Sequence, residues 1–68
     1  MRTNLKLLRV KHYMTQEEFA ASVDISRTAY ASIEQGNSNG TRRFWVNVQN
    51  EYGIRDADMW ELMKNDAE

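Results

Sequence analysis

The sequence contains no cysteine and no proline, and only three of its 68 residues are glycine. Without cysteine there is neither a disulfide nor a thiolate metal site, and the single histidine, His12, has no partner at metal-ligand spacing. We therefore expect no metal and no other cofactor. A chain of this length has room for one small domain, residues 1–68, whose core has to be efficient because small domains bury only about 60% of their unfolded surface.

Long apolar runs are also missing. No stretch without a charged residue is longer than Phe44 to Asn50, which falls far short of the roughly 20 apolar residues that span a bilayer. Arg2 and Lys6 near the start are not followed by the apolar segment of a signal peptide. The sequence predicts a cytoplasmic protein without a membrane helix.

The net charge is only −1, which taken alone speaks against binding to nucleic acid. The charge is unevenly distributed, however, because residues 1–50 carry a net +3 and residues 51–68 a net −4. This asymmetry is compatible with a surface that faces phosphates and an opposite acidic surface, and chance variation in a short chain explains it equally well.

Apolar residues at helical spacing predict five short helices. The first covers about residues 4–12, with Thr3 or Asn4 as its cap, and the second begins at a capping box, Thr15 to Glu18. Asp24 ends the second helix, since aspartate tolerates a left-handed backbone better than most residues. No alternating strand pattern is present, so the fold is predicted to be all-α.

The remaining three helices have equally local signals. Ser26 is predicted to cap a third helix that Gly36 ends, with Tyr30 and Ile33 pointing inward. Thr41 can cap a fourth helix that runs to Tyr52 and Gly53, and Asp56 a fifth that contains Met59, Trp60 and Met63.

Nothing in the sequence favours catalysis. Asp56, Asp58 and Glu61 are ordinary acidic residues in the first turns of a helix, where they complement its dipole. A glycine-rich phosphate loop between a strand and a helix is absent, because no strand is predicted. We expect neither enzymatic activity nor a small-molecule ligand.

Residues 15–35 have the organisation of a helix-turn-helix: a capped helix, a short turn and a second capped helix. Here the sequence resembles the XRE-type, lambda-repressor-like regulators of bacteria and phages. The residues that carry the resemblance are Leu5, Leu8, Arg9, Met14 to Ala20, Val23 to Arg27, Tyr30 and Ile33 to Gly36. Asp24 departs from the pattern, since the family usually has glycine there.

The resemblance implies a DNA-binding function and assigns roles to individual residues. The helix at residues 26–35 would be the recognition helix in the major groove, with Arg27 and Thr28 contacting base edges and Ser32 a further candidate one turn later. Gln16 matches a family position that meets a phosphate at the start of the second helix.

Further contacts are expected on either side of this helix. Arg42 and Arg43 begin a helix, where two cations oppose the helix dipole, which favours a functional reason such as phosphate contact. Asn37 and Asn39 in the preceding loop can contact the same DNA strand. Arg9 and Glu34 occupy positions that form a salt bridge in related repressors, and we expect them to brace the recognition helix.

The carboxyl-terminal third is richer in large apolar residues than the family norm. These residues either complete the core of the monomer or include a dimer patch, for which Trp60 and Met63 are the candidates. A homodimer would place two recognition helices on half-sites about 34 Å apart in a palindromic operator on double-stranded DNA.

The resulting prediction is a transcriptional regulator, a repressor of phage, prophage or mobile-element type. The alternative is a protein-interaction module, such as an antirepressor or accessory factor, that keeps the fold without binding DNA.

Overall fold

The computed structural model describes residues 1–66, and all regular structure in this range is helical. The five helices are α1 (Thr3–Lys11), α2 (Gln16–Ser22), α3 (Arg27–Gln35), α4 (Arg42–Tyr52) and α5 (Asp56–Met63). They confirm the predicted all-α fold and lie within one or two residues of the expected bounds. None of these helices is long and apolar enough to cross a membrane.

The helix ends around the helix-turn-helix form by local hydrogen bonds, as predicted. The Thr15 hydroxyl accepts the backbone N–H of Glu18 at 3.1 Å, and the Glu18 carboxylate accepts the N–H of Thr15 at 2.9 Å. The Ser26 and Thr41 hydroxyls cap α3 and α4 with a single bond each, which they accept from the backbone N–H groups of Ala29 and Phe44. Each bond satisfies an amide that the helix itself leaves unpaired.

Two predicted caps are wrong. Arg2, rather than Thr3 or Asn4, precedes α1, and its side chain makes no capping bond. The Asn4 amide instead donates to the carbonyl of Glu61 at 3.0 Å, so a tertiary contact takes the side chain that the sequence assigned to a cap. In α5 the cap position is Arg55, and Asp56 is the first helical residue, where its charge still suits the dipole.

The turn between α2 and α3 closes at Asp24, whose φ of 66° is left-handed. The amide of Ile25 donates to the carbonyl of Ala20 at 3.1 Å across this turn. This geometry confirms the expectation for Asp24 and sends the chain sharply from α2 into α3.

The core contains residues from all five helices, and aromatic rings form much of it. Phe19 lies parallel to Tyr52 with ring centroids 4.8 Å apart, and it contacts Tyr30 at 4.9 Å. The buried apolar residues are Leu5, Phe19, Ala20, Val23, Tyr30, Ile33, Phe44, Trp45, Val48 and Leu62. Rings packed in tilted and offset arrangements of this kind stabilise a small core beyond their buried area.

Candidate nucleic-acid interface

Helix α3 presents two chemically different sides. Tyr30, Ile33 and Glu34 are buried on one side, whereas Arg27 and Thr28 are exposed on the other. Ser32 lies on the outer side as well and is half-buried. The exposed side is therefore small, polar and positively charged at its amino-terminal end, which suits close approach to a nucleic-acid groove.

Two of the three candidate base-contacting residues line one groove. Thr28 and Ser32, four residues apart on α3, face Thr41 across a groove of about 360 Å³ with Ile25 and Phe44 among its apolar lining residues. Arg27 does not line this groove. The structure thus places Thr28 and Ser32 together, with Arg27 at the amino-terminal end of the same helix.

The candidate cations are available to a ligand. Arg27, Arg42 and Arg43 are exposed, and within residues 1–66 none of them forms an ion pair. Arg42 and Arg43 diverge, because neighbouring residues of a helix point in different directions. Arg43 lines a groove with Asp24, whereas Arg42 lines another beside α5.

The buried side of α3 is held by a network centred on the Glu34 carboxylate. Arg9 donates from Nε to Glu34 Oε2 at 2.9 Å, Gln16 donates from Nε2 to Oε1 at 2.8 Å, and the Tyr30 hydroxyl donates to Oε2 at 2.8 Å. Arg9 also donates from Nη1 to the carbonyl of Met14 at 3.0 Å. Because these donors come from three helices, the network fixes α3 relative to α1 and α2.

The ionisation of this cluster follows from its contacts. Burial alone would raise the pKa of Glu34, but the hydrogen bonds from Arg9, Gln16 and Tyr30 and the charge of Arg9 outweigh it, so the pKa lies below its usual value. The Glu34 bond raises the pKa of Arg9, and burial raises that of Tyr30. Glu34 is therefore a carboxylate that accepts hydrogen bonds from a cation and two neutral donors.

The Gln16 side chain, for which the resemblance implies a phosphate contact, also takes part in the Glu34 network. Its amide nitrogen contacts Glu34, so the side chain belongs to the network that holds α3. A primary amide nitrogen carries two hydrogens and Glu34 takes one of them. This bond places the first turn of α2 beside the last turn of α3.

The loop between α3 and α4 carries Asn37 and Asn39, which are both exposed. The amide of Asn37 donates to the carbonyl of Ser32 at 2.9 Å, and Trp45 Nε1 donates to the carbonyl of Asn39 at 3.0 Å. These bonds hold the backbone and leave the two side chains on the surface.

The candidate dimer residues lie at the surface of α5. Trp60 is 73% exposed and Met63 is 39% exposed. Met63 lines a groove of about 440 Å³ together with Trp45, Val46 and Met59. Leu62, in contrast, is buried, so α5 uses a different residue for the monomer core than the apolar spacing suggested.

Sequence reasoning missed two contributors to this arrangement. Tyr30 was expected only as an apolar core residue, although a hydroxyl in a buried position signals a polar partner nearby. Arg2 entered the sequence analysis only as one of the basic residues, yet it is 5% exposed and its side chain donates to three carbonyl groups. No local signal indicates this burial, because its partners lie 31 to 61 positions away.

Comparison with known proteins identifies the class. The family model described as helix-turn-helix matches residues 5–41. An uncharacterized HTH-type transcriptional regulator of Archaeoglobus fulgidus is 32% identical over 60 residues, which cover 88% of this chain and 86% of the relative. The control protein C.MunI of Mycoplasma sp is 50% identical over 34 residues, which cover 50% of this chain and 46% of that protein. No solved structure matches the chain significantly.

The chain belongs to the XRE-type helix-turn-helix family of DNA-binding transcriptional regulators. The matched segment contains α2, α3 and α1 from its third residue onward, and it ends just before α4 begins. It therefore includes every residue of the Glu34 network and the whole of the candidate recognition helix.

Proposed function

We propose that this chain is a sequence-specific repressor of phage, prophage or mobile-element type that binds a palindromic operator on double-stranded DNA as a homodimer. Helix α3 lies in the major groove, where Arg27 and Thr28 contact base edges and Ser32 adds a contact one turn later. The observation that carries the proposal is the polarity of α3, whose inner side is fixed by Glu34 while its outer side is exposed.

The residues around α3 contact the DNA backbone. Arg42 and Arg43 supply charge, Asn37 and Asn39 supply amide groups, and Gln16 supplies the amide hydrogen that Glu34 does not take. Because Arg42 and Arg43 diverge, they meet different phosphates.

The dimer is formed through α5, with Trp60 and Met63 in the contact. The exposure of Trp60, a large aromatic residue, and the position of Met63 in the lining of a largely apolar groove support this choice. Two copies give the specificity that one short recognition helix lacks.

The proposal is tested by selecting random duplexes with the purified protein at stated salt and measuring the affinity of variants for the recovered motif. Arg27→Ala should cost about 1–3 kcal/mol and relax the preference at one base position in each half-site, because a two-point contact to a base is lost. Arg43→Ala should weaken all duplexes alike and lower the salt dependence by about one ion.

Arg55→Ala is the matched control, since Arg55 is an exposed arginine at the acidic end of the chain whose ion-pair partner among residues 1–66 is Asp58. It should bind like the parent protein. If Arg27→Ala selects the parent motif with equal stringency, α3 is not the reading helix. If no motif is recovered from the parent protein, the interaction-module alternative replaces the proposal.

A further inference from the structure

Arg2 is a buried cation at the junction of three segments of the fold. Its Nη1 donates to the carbonyl of Ile33 at 2.7 Å and to that of Ser38 at 2.8 Å, and its Nε donates to the carbonyl of Met63 at 2.9 Å. Its backbone N–H donates to the carbonyl of Glu34 at 2.7 Å. One residue thus contacts the end of α3, the α3–α4 loop and the end of α5.

The surroundings of this guanidinium contain no carboxylate partner within residues 1–66. Its charge is balanced instead by the carbonyls at two helix ends, which carry the negative end of the helix dipole, and by the Trp45 ring, whose centroid lies 5.6 Å away. Burial lowers the pKa of Arg2. Burying a cation without a counter-ion costs free energy of folding, which indicates that Arg2 has a specific role at this position.

The α3–α4 loop is held from two sides. Arg2 binds the carbonyl of Ser38, and the indole N–H of Trp45 binds the carbonyl of the next residue, Asn39. The Trp45 ring in turn lies beneath the Arg2 guanidinium. Arg2 and Trp45 form one unit, and the loop that this unit shapes displays the side chains of Asn37 and Asn39.

We propose that Arg2 is a positioning residue for DNA binding: it sets the α3–α4 loop in the conformation that meets the DNA backbone and ties that loop to the end of α5. The inference rests on the proposed function in taking DNA as the ligand. It adds a link between two distant surfaces, because the guanidinium bonds to the carbonyl of Met63, a residue of the proposed dimer contact, and to that of Ser38, which lies between Asn37 and Asn39 of the proposed phosphate contact.

Two substitutions distinguish the planar arrangement of donors in the Arg2 guanidinium from its positive charge. Arg2→Lys keeps the charge, but a single ammonium group does not reproduce the planar set of donors that spans three carbonyls. Arg2→Met removes the charge as well. In the free protein, both variants should speed hydrogen exchange of the Trp45 indole N–H and of the Asn37 and Gly40 amides, while amides of α2 keep the parent rates.

Binding to DNA supplies the second measurement. Arg2→Lys should weaken the selected operator and an unrelated duplex alike, on the order of tenfold, and recover the parent motif in selection. In an Asn37→Ala/Asn39→Ala background the same substitution should lose most of its effect, because Arg2 acts through these side chains.

Val48→Ala controls for a general loss of stability. Val48 is buried in α4 and its side chain makes no hydrogen bond, so its truncation destabilises the core without removing any hydrogen bond that holds the loop. All variants are compared at a temperature where circular dichroism finds each of them folded. Val48→Ala should then keep the parent affinity.

Each outcome bears on the proposal. Parent-like affinity and loop exchange in Arg2→Lys, an altered motif, or an equal loss in Val48→Ala overturns the positioning role while the proposed function stands. An undiminished effect in the background without Asn37 and Asn39 shows that Arg2 does not act through the loop. Failure of the parent protein to bind any duplex overturns the proposed function and this inference together.

Discussion

The two halves of this domain are held together by different chemistry. Helices α1, α2 and α3 converge on one buried carboxylate, Glu34, which accepts hydrogen bonds from Arg9, Gln16 and Tyr30. Helices α4 and α5 contribute mainly apolar side chains to the core, with Phe44 and Trp45 in edge-to-face contact at 4.8 Å, and the Arg2 guanidinium adds a hydrogen bond to the end of α5. Directional bonds fix one geometry, whereas apolar packing tolerates exchange of residues of similar volume.

This difference agrees with the range of residues that the family model matches. The helix-turn-helix model matches residues 5–41, the part that contains the polar network, and does not extend into α4. The proposed recognition helix, α3, needs a defined orientation on DNA, and the network fixes α3 against α1 and α2. Beyond residue 41 the chain covers the core with apolar residues and also carries the exposed Trp60.

The largest expected effect comes from removing the centre of the network. Glu34 is 2% exposed, and Glu34→Ala leaves Arg9 without its partner in a partly buried position. We expect the free energy of unfolding to fall by about 3–5 kcal/mol, which is much of the stability of a small domain. Urea denaturation measures this change. Glu51→Ala, which removes an exposed carboxylate, is the control, and a loss below about 1 kcal/mol at Glu34 would mean that the network does not hold the fold.

Acid should lower the stability of the protein by protonating Glu34, the carboxylate at the centre of the network. The pKa of Glu34 is lowered in the folded protein, so its contribution to stability is fully present above the unfolded-state pKa and is lost as the pH falls through the folded-state value. The free energy of unfolding should therefore decline on acidification below about pH 4.5, the ordinary value for glutamate. Glu34→Gln should be less stable near neutral pH and show a flatter decline. Parallel pH profiles for the two proteins would assign the acid sensitivity to other carboxylates.

The same division explains what the sequence could predict. Helix ends were predictable wherever the signal is local, as at Thr15 with Glu18, at Ser26 and at Gly36. The burial of Arg2 was not, because its partners come from the ends of helices that are distant in sequence. Within α5 the apolar spacing could not decide between Met63 and Leu62, since a helix of eight residues allows more than one inward side.

A smaller effect of opposite sign is expected at Tyr13, which follows α1. This residue has a left-handed φ of 59° and a side chain that is 95% exposed, so backbone strain is not offset by burial. Tyr13→Gly should raise the free energy of unfolding by about 0.5–1 kcal/mol. Thermal and urea melts detect this gain.

Ala21→Gly is the matched control, because it introduces the same residue at an exposed position inside α2. It should lower the stability by about 1 kcal/mol, since glycine is a poor helix former. A loss of stability at both positions would show that the Tyr13 ring contributes to folding despite its exposure.

The smallest effect on the monomer is expected at Trp60. Because its side chain is 73% exposed, Trp60→Gln removes little buried surface and should change the free energy of unfolding by less than about 0.5 kcal/mol when measured at low concentration. Self-association should respond strongly if Trp60 lies in the proposed dimer contact, because aromatic residues at the centre of an interface carry much of its binding energy. Sedimentation of parent and variant at tens of micromolar, alone and with duplexes bearing one or two half-sites, separates the two roles. A parent protein that stays monomeric and binds both duplexes with equal affinity per site contradicts the dimer, and Trp60 would then be an exposed aromatic side chain with no part in operator recognition.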